Sequence, residues 1–300
     1  MTALHAETER EALSVAPPLR RSVAVRRPKT KTILVYGTVG FYLVVVLVPL
    51  YWMFRSSISE NAEMYGTAIQ FFPTKFTLAQ FQAALGKWQF GLYLQNSLIV
   101  ALVTTFMTTV MSSLAAFSLV RLRYPGRNAL ARSVLFVYLV PAGLLFIPLY
   151  IIMGNLRLLN TMGSLILTYQ TFAIPFCTWM LIGYFKGIPP EMEEAAMIDG
   201  ATRLQALRLV LLPMAAPGLV AAAIFTFTLS WNEFLYALIF ISANAARTLP
   251  VGLASLIRGD IYLWGPMMAG SVLAAVPVVT LYMLANRFVV QGLAAGAVKG

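Results

Sequence analysis

The run from Ile33 to Phe54 holds 22 consecutive residues without a charge. A helix rises about 1.5 Å per residue, so a run of that length clears a hydrocarbon core about 30 Å thick. A chain with such a run is not an ordinary soluble domain. Charged residues make up only 11% of the sequence, against about 25% in soluble domains. Lipid offers the backbone no hydrogen-bond partners, so long apolar runs are expected to form helices. Six runs qualify: Ile33–Phe54, Gln95–Val120, Ser133–Met153, Ser164–Phe185, Pro217–Ile241 and Gly265–Asn286. The expectation is an all-α membrane protein with six transmembrane helices. A basic, disordered tail over 1–32 precedes the membrane domain 33–286, and a small, flexible tail, 287–300, follows it.

The ends and loops give the orientation. With the N-terminus inside, 16 of the 22 Lys and Arg residues fall on internal segments and six on external ones. That bias follows the positive-inside rule and predicts both termini in the cytoplasm. It also accounts for the net charge of +11 without nucleic acid. A secretory signal is the rival reading of the N-terminus, but its apolar core should span only about 7–15 residues. The expected location is a cytoplasmic membrane, with lipid as a partner.

Between two of the apolar runs lies a charged segment, 186–213. Pro189 and Pro190 open it, and Glu191, Glu193 and Glu194 follow in the first turns. Proline at a helix start and acids at its positive end favour a helix. Gly200 suits the left-handed residue that ends one. Thr202 and Gln205 are spaced as a capping box that starts a second helix. Leu204, Leu207 and Leu211 give that helix an apolar stripe. A helix, a sharp turn and a helix are expected outside the hydrocarbon, as a cytoplasmic knuckle.

Other residues admit two readings each. Thr104, Thr108 and Ser112 recur every four residues, as do Thr105, Thr109 and Ser113, so each row shares a helix face. The rows fit either a polar wall of a transport path or close helix packing. Glu233, in Trp231-Asn232-Glu233, falls inside an apolar run, where a carboxylate is costly. It either lines a cavity or gate, or pairs structurally. Gly270 with Ala274, and Ser271 with Ala275, are small-residue pairs for close helix approach. Pro141, Pro148 and Pro277 mark kinks. The one cysteine, Cys177, is read as a packed thiol, and the one histidine, His5, sits in the polar tail. No metal site, cofactor or catalytic residue is expected. The sequence has no G-x-x-x-x-G-K-[ST], H-E-x-x-H or G-x-S-x-G.

The order Glu194-Ala195-Ala196, three residues, Gly200, nine residues, Val210-x-Leu212-Pro213 resembles the EAA loop of ABC importer permeases. Val210 stands where the family usually has Ile. Trp231-Asn-Glu-Phe-Leu, Thr248-Leu-Pro-Val-Gly-Leu and the end Gly292-Leu-Ala-Ala-Gly296-Ala-Val-Lys299-Gly are similar to the maltose-type (G-type) permeases of carbohydrate importers. The resemblance implies a type I ABC importer permease fold. It implies a transport subunit without its own ATPase site, carrying sugars or oligosaccharides. Implied partners are a second, F-type permease, a dimer of ABC ATPase subunits and an extracytoplasmic sugar-binding protein. It assigns ATPase coupling to Glu194, Ala195, Ala196, Asp199 and Gly200, and tail contact to Gly296 and Lys299. Trp231, Asn232 and Glu233 are pathway candidates. A permease for a non-sugar solute and a secondary transporter are the alternatives.

Overall fold

The computed structural model describes residues 30–66, 70–259 and 261–297. The N-terminal tail falls outside them up to position 29, and so does Lys299. Helix α1, Thr30–Ser57, contains the first apolar run. Its portion up to Leu50 is a unit of its own, an apolar helix with exposed side chains. The rest of the chain, from Tyr51, is a second compact unit.

In this second unit two short helices, α2 (Asn61–Met64) and α3 (Ala79–Leu85), lead to α4 (Phe90–Arg121). Helix α4 packs along α7 (Met162–Lys186), and the row of small polar residues is the reason. Thr104, Thr108 and Ser112 are fully buried. Thr108 Oγ1 donates to Gln170 Oε1 at 2.8 Å and Ser112 Oγ to the Ile174 carbonyl at 3.3 Å. Thr105 and Ser113 donate back to carbonyls of their own helix. These rows are therefore packing surfaces.

Two of the expected spans are broken. The run 133–153 is α5 (Arg127–Tyr138), a short 3₁₀ turn at Ala142–Leu144 and α6 (Phe146–Asn155). Pro141 has no N–H for the ladder, and the helix stops before it. Pro148 lies in the first turn of α6, where proline is tolerated, and makes no break. The run 217–241 is α11 (Ala216–Asn232) and α12 (Leu235–Phe240), parted at Glu233 and Phe234. Among the described residues four helices are long and apolar enough to cross a membrane: Thr32–Ser57, Phe90–Arg121, Met162–Lys186 and Trp264–Asn286. A bent pair, Arg203–Met214 with Ala216–Asn232, makes a fifth candidate.

The loop 242–264 is not all helix. After α13 (Leu249–Ala254), β1 (Ile257–Arg258) pairs antiparallel with β2 (Ile261–Tyr262). This two-residue pairing is a local hairpin in an otherwise helical fold: the turn at Gly259, with φ of 59°, folds the chain back on itself. Helix α14, Trp264–Ala297, then runs through the first residues of the expected C-terminal tail, including the backbone of Gly296. Gly270 lets α14 meet α4: a Cβ there would lie 2.2 Å from Phe90 Cε2. The thiol of Cys177 is buried, 3.2 Å from Thr226 Oγ1 on α11.

Candidate functional site

The charged segment folds as a helical knuckle. Helix α8, Glu191–Ile198, starts after Pro190 with three acids in its first turn. It ends in a Schellman motif. Gly200 has φ of 93°, its N–H donates to the Met197 carbonyl at 3.1 Å, and the Ala201 N–H donates to the Ala196 carbonyl at 3.0 Å. A left-handed residue with this bond pair turns the chain sharply and satisfies carbonyls the helix leaves open. The capping box follows. Thr202 N–H donates to Gln205 Oε1 at 2.7 Å, and Gln205 N–H to Thr202 Oγ1 at 3.3 Å. Helix α9, Arg203–Ala206, widens into a π turn over Leu207–Leu211 and closes with α10, Leu212–Met214. An 80° bend then leads into α11.

One face of the knuckle is buried. Leu207, Leu211 and Ala215 pack with Phe117 of α4, Leu181 and Phe185 of α7, and Ile188. Leu204 does not join them. It is 65% exposed, because the π turn changes the helical phase after Ala206. Charge fastens the other helix. Arg121, the last residue of α4, lies with Nε 2.9 Å from Glu193 Oε2, and its Nη2 donates to the Ile188 carbonyl at 2.8 Å. Both side chains are largely buried. Glu193 is thus the acid that locks α8 down, a role the sequence pattern did not single out. Glu194, one position on, is exposed and borders a cavity of about 980 Å³ lined also by Arg123, Arg127 and Arg203.

The outward surface of α8 carries Met192, Ala195, Ile198 and Asp199, with Ile198 86% exposed. Gly200 is exposed beside them, and Ala196 is half-buried. Three of the five coupling candidates, Ala195, Asp199 and Gly200, therefore share the open surface with two large apolar side chains, while Glu194 is exposed at the arginine-lined cavity. The spacing of Met192, Ala195 and Ile198 at every third residue was the signal available for this stripe.

The three pathway candidates part company. Trp231 is buried, stacks on Phe227 at 5.5 Å and donates its indole N–H to the Ala274 carbonyl at 3.2 Å. This bond joins α11 to α14. Asn232 is exposed and donates to the Thr228 carbonyl one turn back. Glu233 accepts from the N–H groups of Tyr236 and Ala237 at 2.9 and 3.1 Å, which start α12. The Tyr169 hydroxyl donates to it at 2.6 Å. Its carboxylate satisfies the first N–H groups of the helix after the break. It also borders a cavity of about 440 Å³ with Pro141, Ala142 and Tyr236. The Tyr236 hydroxyl donates to the Ala142 carbonyl at 2.6 Å, so the breaks of the two spans are tied together.

At the end of α1, Arg55 pairs with Glu63 of α2 at 3.2 Å. Thr74 donates its hydroxyl and its backbone N–H to the same carboxylate. These bonds, the hydroxyl's first, hold Glu63 below its ordinary pKa.

Residues 108–294, which include the knuckle, match the family model of the binding-protein-dependent transport system inner membrane component. The chain belongs to this family. A relative in Escherichia coli, the inner membrane ABC transporter permease protein YcjP, is 37% identical over 267 residues, covering 88% of this chain and 95% of that protein. The sulfoquinovosyl glycerol transport system permease protein SmoH of Agrobacterium fabrum is 41% identical, covering 85% and 89%. The trehalose/maltose transport system permease protein MalG of Thermococcus litoralis is 35% identical, covering 90% and 97%. Among solved structures, a chain of a bacterial ABC transporter involved in alginate import superposes with a TM-score of 0.75 at 22% identity, covering 85% and 95%. The permease has the fold of that transporter's chain.

Proposed function

We propose that this permease carries sugars or oligosaccharides across a cytoplasmic membrane, driven by separate ATPase subunits that dock on the knuckle. The carrying observation is the knuckle's construction. Its inner face is fastened by an ion pair and an apolar cluster, while its outer face presents Met192, Ala195, Ile198 and Asp199, whose side chains make no hydrogen bond or ion pair among the described residues. A rigid element with one unpartnered face suits the transmission of a partner's motion. The sugar assignment is supported by the relatives, whose names specify trehalose/maltose and sulfoquinovosyl glycerol.

In the mechanism, closure of the ATPase dimer moves α8. The Arg121–Glu193 pair and the cluster around Phe185 pass that motion to α4 and α7 as rigid bodies. The cavity at the two broken spans opens to one side or the other, and solute enters from an extracytoplasmic binding protein. The chain itself hydrolyses nothing. The first apolar run, the broken 133–153 and 217–241 runs and the three unbroken helices together make six spans, with both ends cytoplasmic. A second, F-type permease completes the pathway, and Gly296 and Lys299 contact the ATPases.

The test is co-purification through an N-terminal tag, then ATP hydrolysis with and without sugar-loaded binding proteins. An ATPase subunit and a second permease, with hydrolysis stimulated by one sugar-loaded protein, are expected. A folded chain that captures no ATPase overturns the docking reading. Stimulation by an amino-acid-loaded protein instead would overturn the sugar assignment alone.

A further inference from the structure

Below the knuckle, three facts meet at Tyr124. An apolar groove of about 380 Å³ runs between α4, α5 and α7, walled by Ala115, Leu119, Leu130, Val134, Val137 and Ile174. Tyr124 stands at its end, its hydroxyl 3.3 Å from Ser118. A second cavity of about 240 Å³ also includes Tyr124, and with it Arg123, Arg127 and the first turn of α5. Grease and positive charge are thus continuous across one tyrosine.

We infer that this is a binding site for an anionic phospholipid, the acyl chain lying in the groove and the phosphate against Arg123 and Arg127. The inference rests on the proposed cytoplasmic placement of the 121–132 loop. Leu130 and Val137 are seven residues apart on α5, so the groove follows the helix for about 10 Å, parallel to a membrane-spanning chain. The charges complement a phosphate and not a zwitterion's choline. Neither of these two cavities is lined by an acid. The larger cavity that shares Tyr124 with both, and Arg123 and Arg127 with the second, also holds Glu193, which is paired with Arg121, and Glu194, so three arginines there face one unpaired acid. Arg127 Nη1 donates to the Leu122 carbonyl at 3.0 Å, which fixes its guanidinium at the mouth. Arg123 is exposed, with no hydrogen bond among the described residues. Basic pockets between membrane helices on the cytoplasmic side are recognised headgroup sites. The positive end of α5 adds to the field but does not carry the argument. Seated there, a lipid would bridge the end of α4 to the start of α5, beside the ion pair that fastens the knuckle.

The test takes the chain from its own membranes with whatever subunits accompany it. Phosphatidylglycerol and phosphatidylcholine with identical acyl chains are titrated into the delipidated protein and counted by native mass spectrometry. Phosphatidylglycerol should bind at least tenfold more tightly. Arg123→Gln, which breaks no internal bond, should lose most of that preference, and Arg123→Gln with Arg127→Gln all of it. Val134→Trp should fill the groove and weaken both lipids, with its thermal transition in phosphatidylcholine alone reporting that it still folds. Equal binding of the two lipids, or full retention by the double variant, overturns the inference. So does displacement by inorganic phosphate as effective as by phosphatidylglycerol, or loss of binding only when accompanying subunits are present. Asn128→Cys with an impermeant maleimide tests the placement separately. Labelling from the outer side with lipid preference intact keeps the site and refutes the placement.

Discussion

Remove one side of the Arg121–Glu193 pair and the other is left as a buried, uncompensated charge. The side chains are 12% and 8% exposed, and the pair is hydrogen-bonded at 2.9 Å. Breaking a fully buried pair costs about 3–5 kcal/mol, and the residual exposure here argues for the low end, about 3 kcal/mol. The rest of the knuckle is held by the apolar cluster, so the loss falls on α8 as local opening and not on the whole fold. About 3 kcal/mol corresponds to roughly a hundredfold rise in the opening equilibrium. The assay is amide hydrogen exchange over Glu191–Ala201 in Glu193→Ala, Arg121→Ala and the double variant. Each single variant should exchange roughly a hundredfold faster in this segment. The double variant removes both charges and should lose less than the two singles combined. If the singles leave exchange unchanged, or the double loses the sum of both, the ion pair does not fasten the knuckle.

Three other outcomes are expected. Gly200 has φ of 93° with open space around its missing Cβ, so the cost of a side chain is conformational, about 1–2 kcal/mol. Gly200→Asn should keep most uptake and Gly200→Val should not; equal uptake would show that the left-handed turn is dispensable. Gly270→Ala puts a Cβ against Phe90 and should destabilise by about 1–3 kcal/mol, with Phe90→Leu restoring part of the loss in a thermal melt. Glu63 is held below its ordinary 4.5, chiefly by Thr74, so its contribution is present above that value and lost as pH falls through its folded pKa. Exchange at Thr74 and Lys75, corrected for intrinsic rates, should therefore rise only below pH 4.5, and a rise already at neutral pH would refute the assignment.

How much could be read from the chain varied with the kind of signal. The knuckle's turn was legible because Gly200, Thr202 and Gln205 act through their own backbone neighbourhood, within three residues. Helix α1 was legible because an uncharged 22-residue run is a length argument. Glu193 was not, because three acids in one turn look alike until a partner 72 residues away chooses between them. Leu204 misled for a local reason: the stripe assumed a uniform period, and the π turn broke it. Glu233 left two readings open, cavity lining and structural pairing, because its place at a helix break does not show in the sequence: it stands where the helix stops and receives the next helix's N–H groups. Uniform apolar composition hides such breaks, since both sides of 233–234 are equally greasy. The Thr and Ser rows were ambiguous for the same reason: only a neighbouring helix decides whether a hydroxyl faces water or Gln170.

The π turn at Leu207–Leu211 bears on evolution as well as on motion. A π turn accommodates one residue more than an α-turn would. Each residue advances a helix by about 100°, but a turn that absorbs the extra residue spares its neighbours that rotation. Deleting one residue within 207–211 would therefore restore an ordinary α-turn and leave Arg203–Ala206, α8 and the outward Met192 and Ile198 close to their present heading. A one-residue gap here is the length change the knuckle should survive, and homologous permeases should carry one more readily at this turn than within α8.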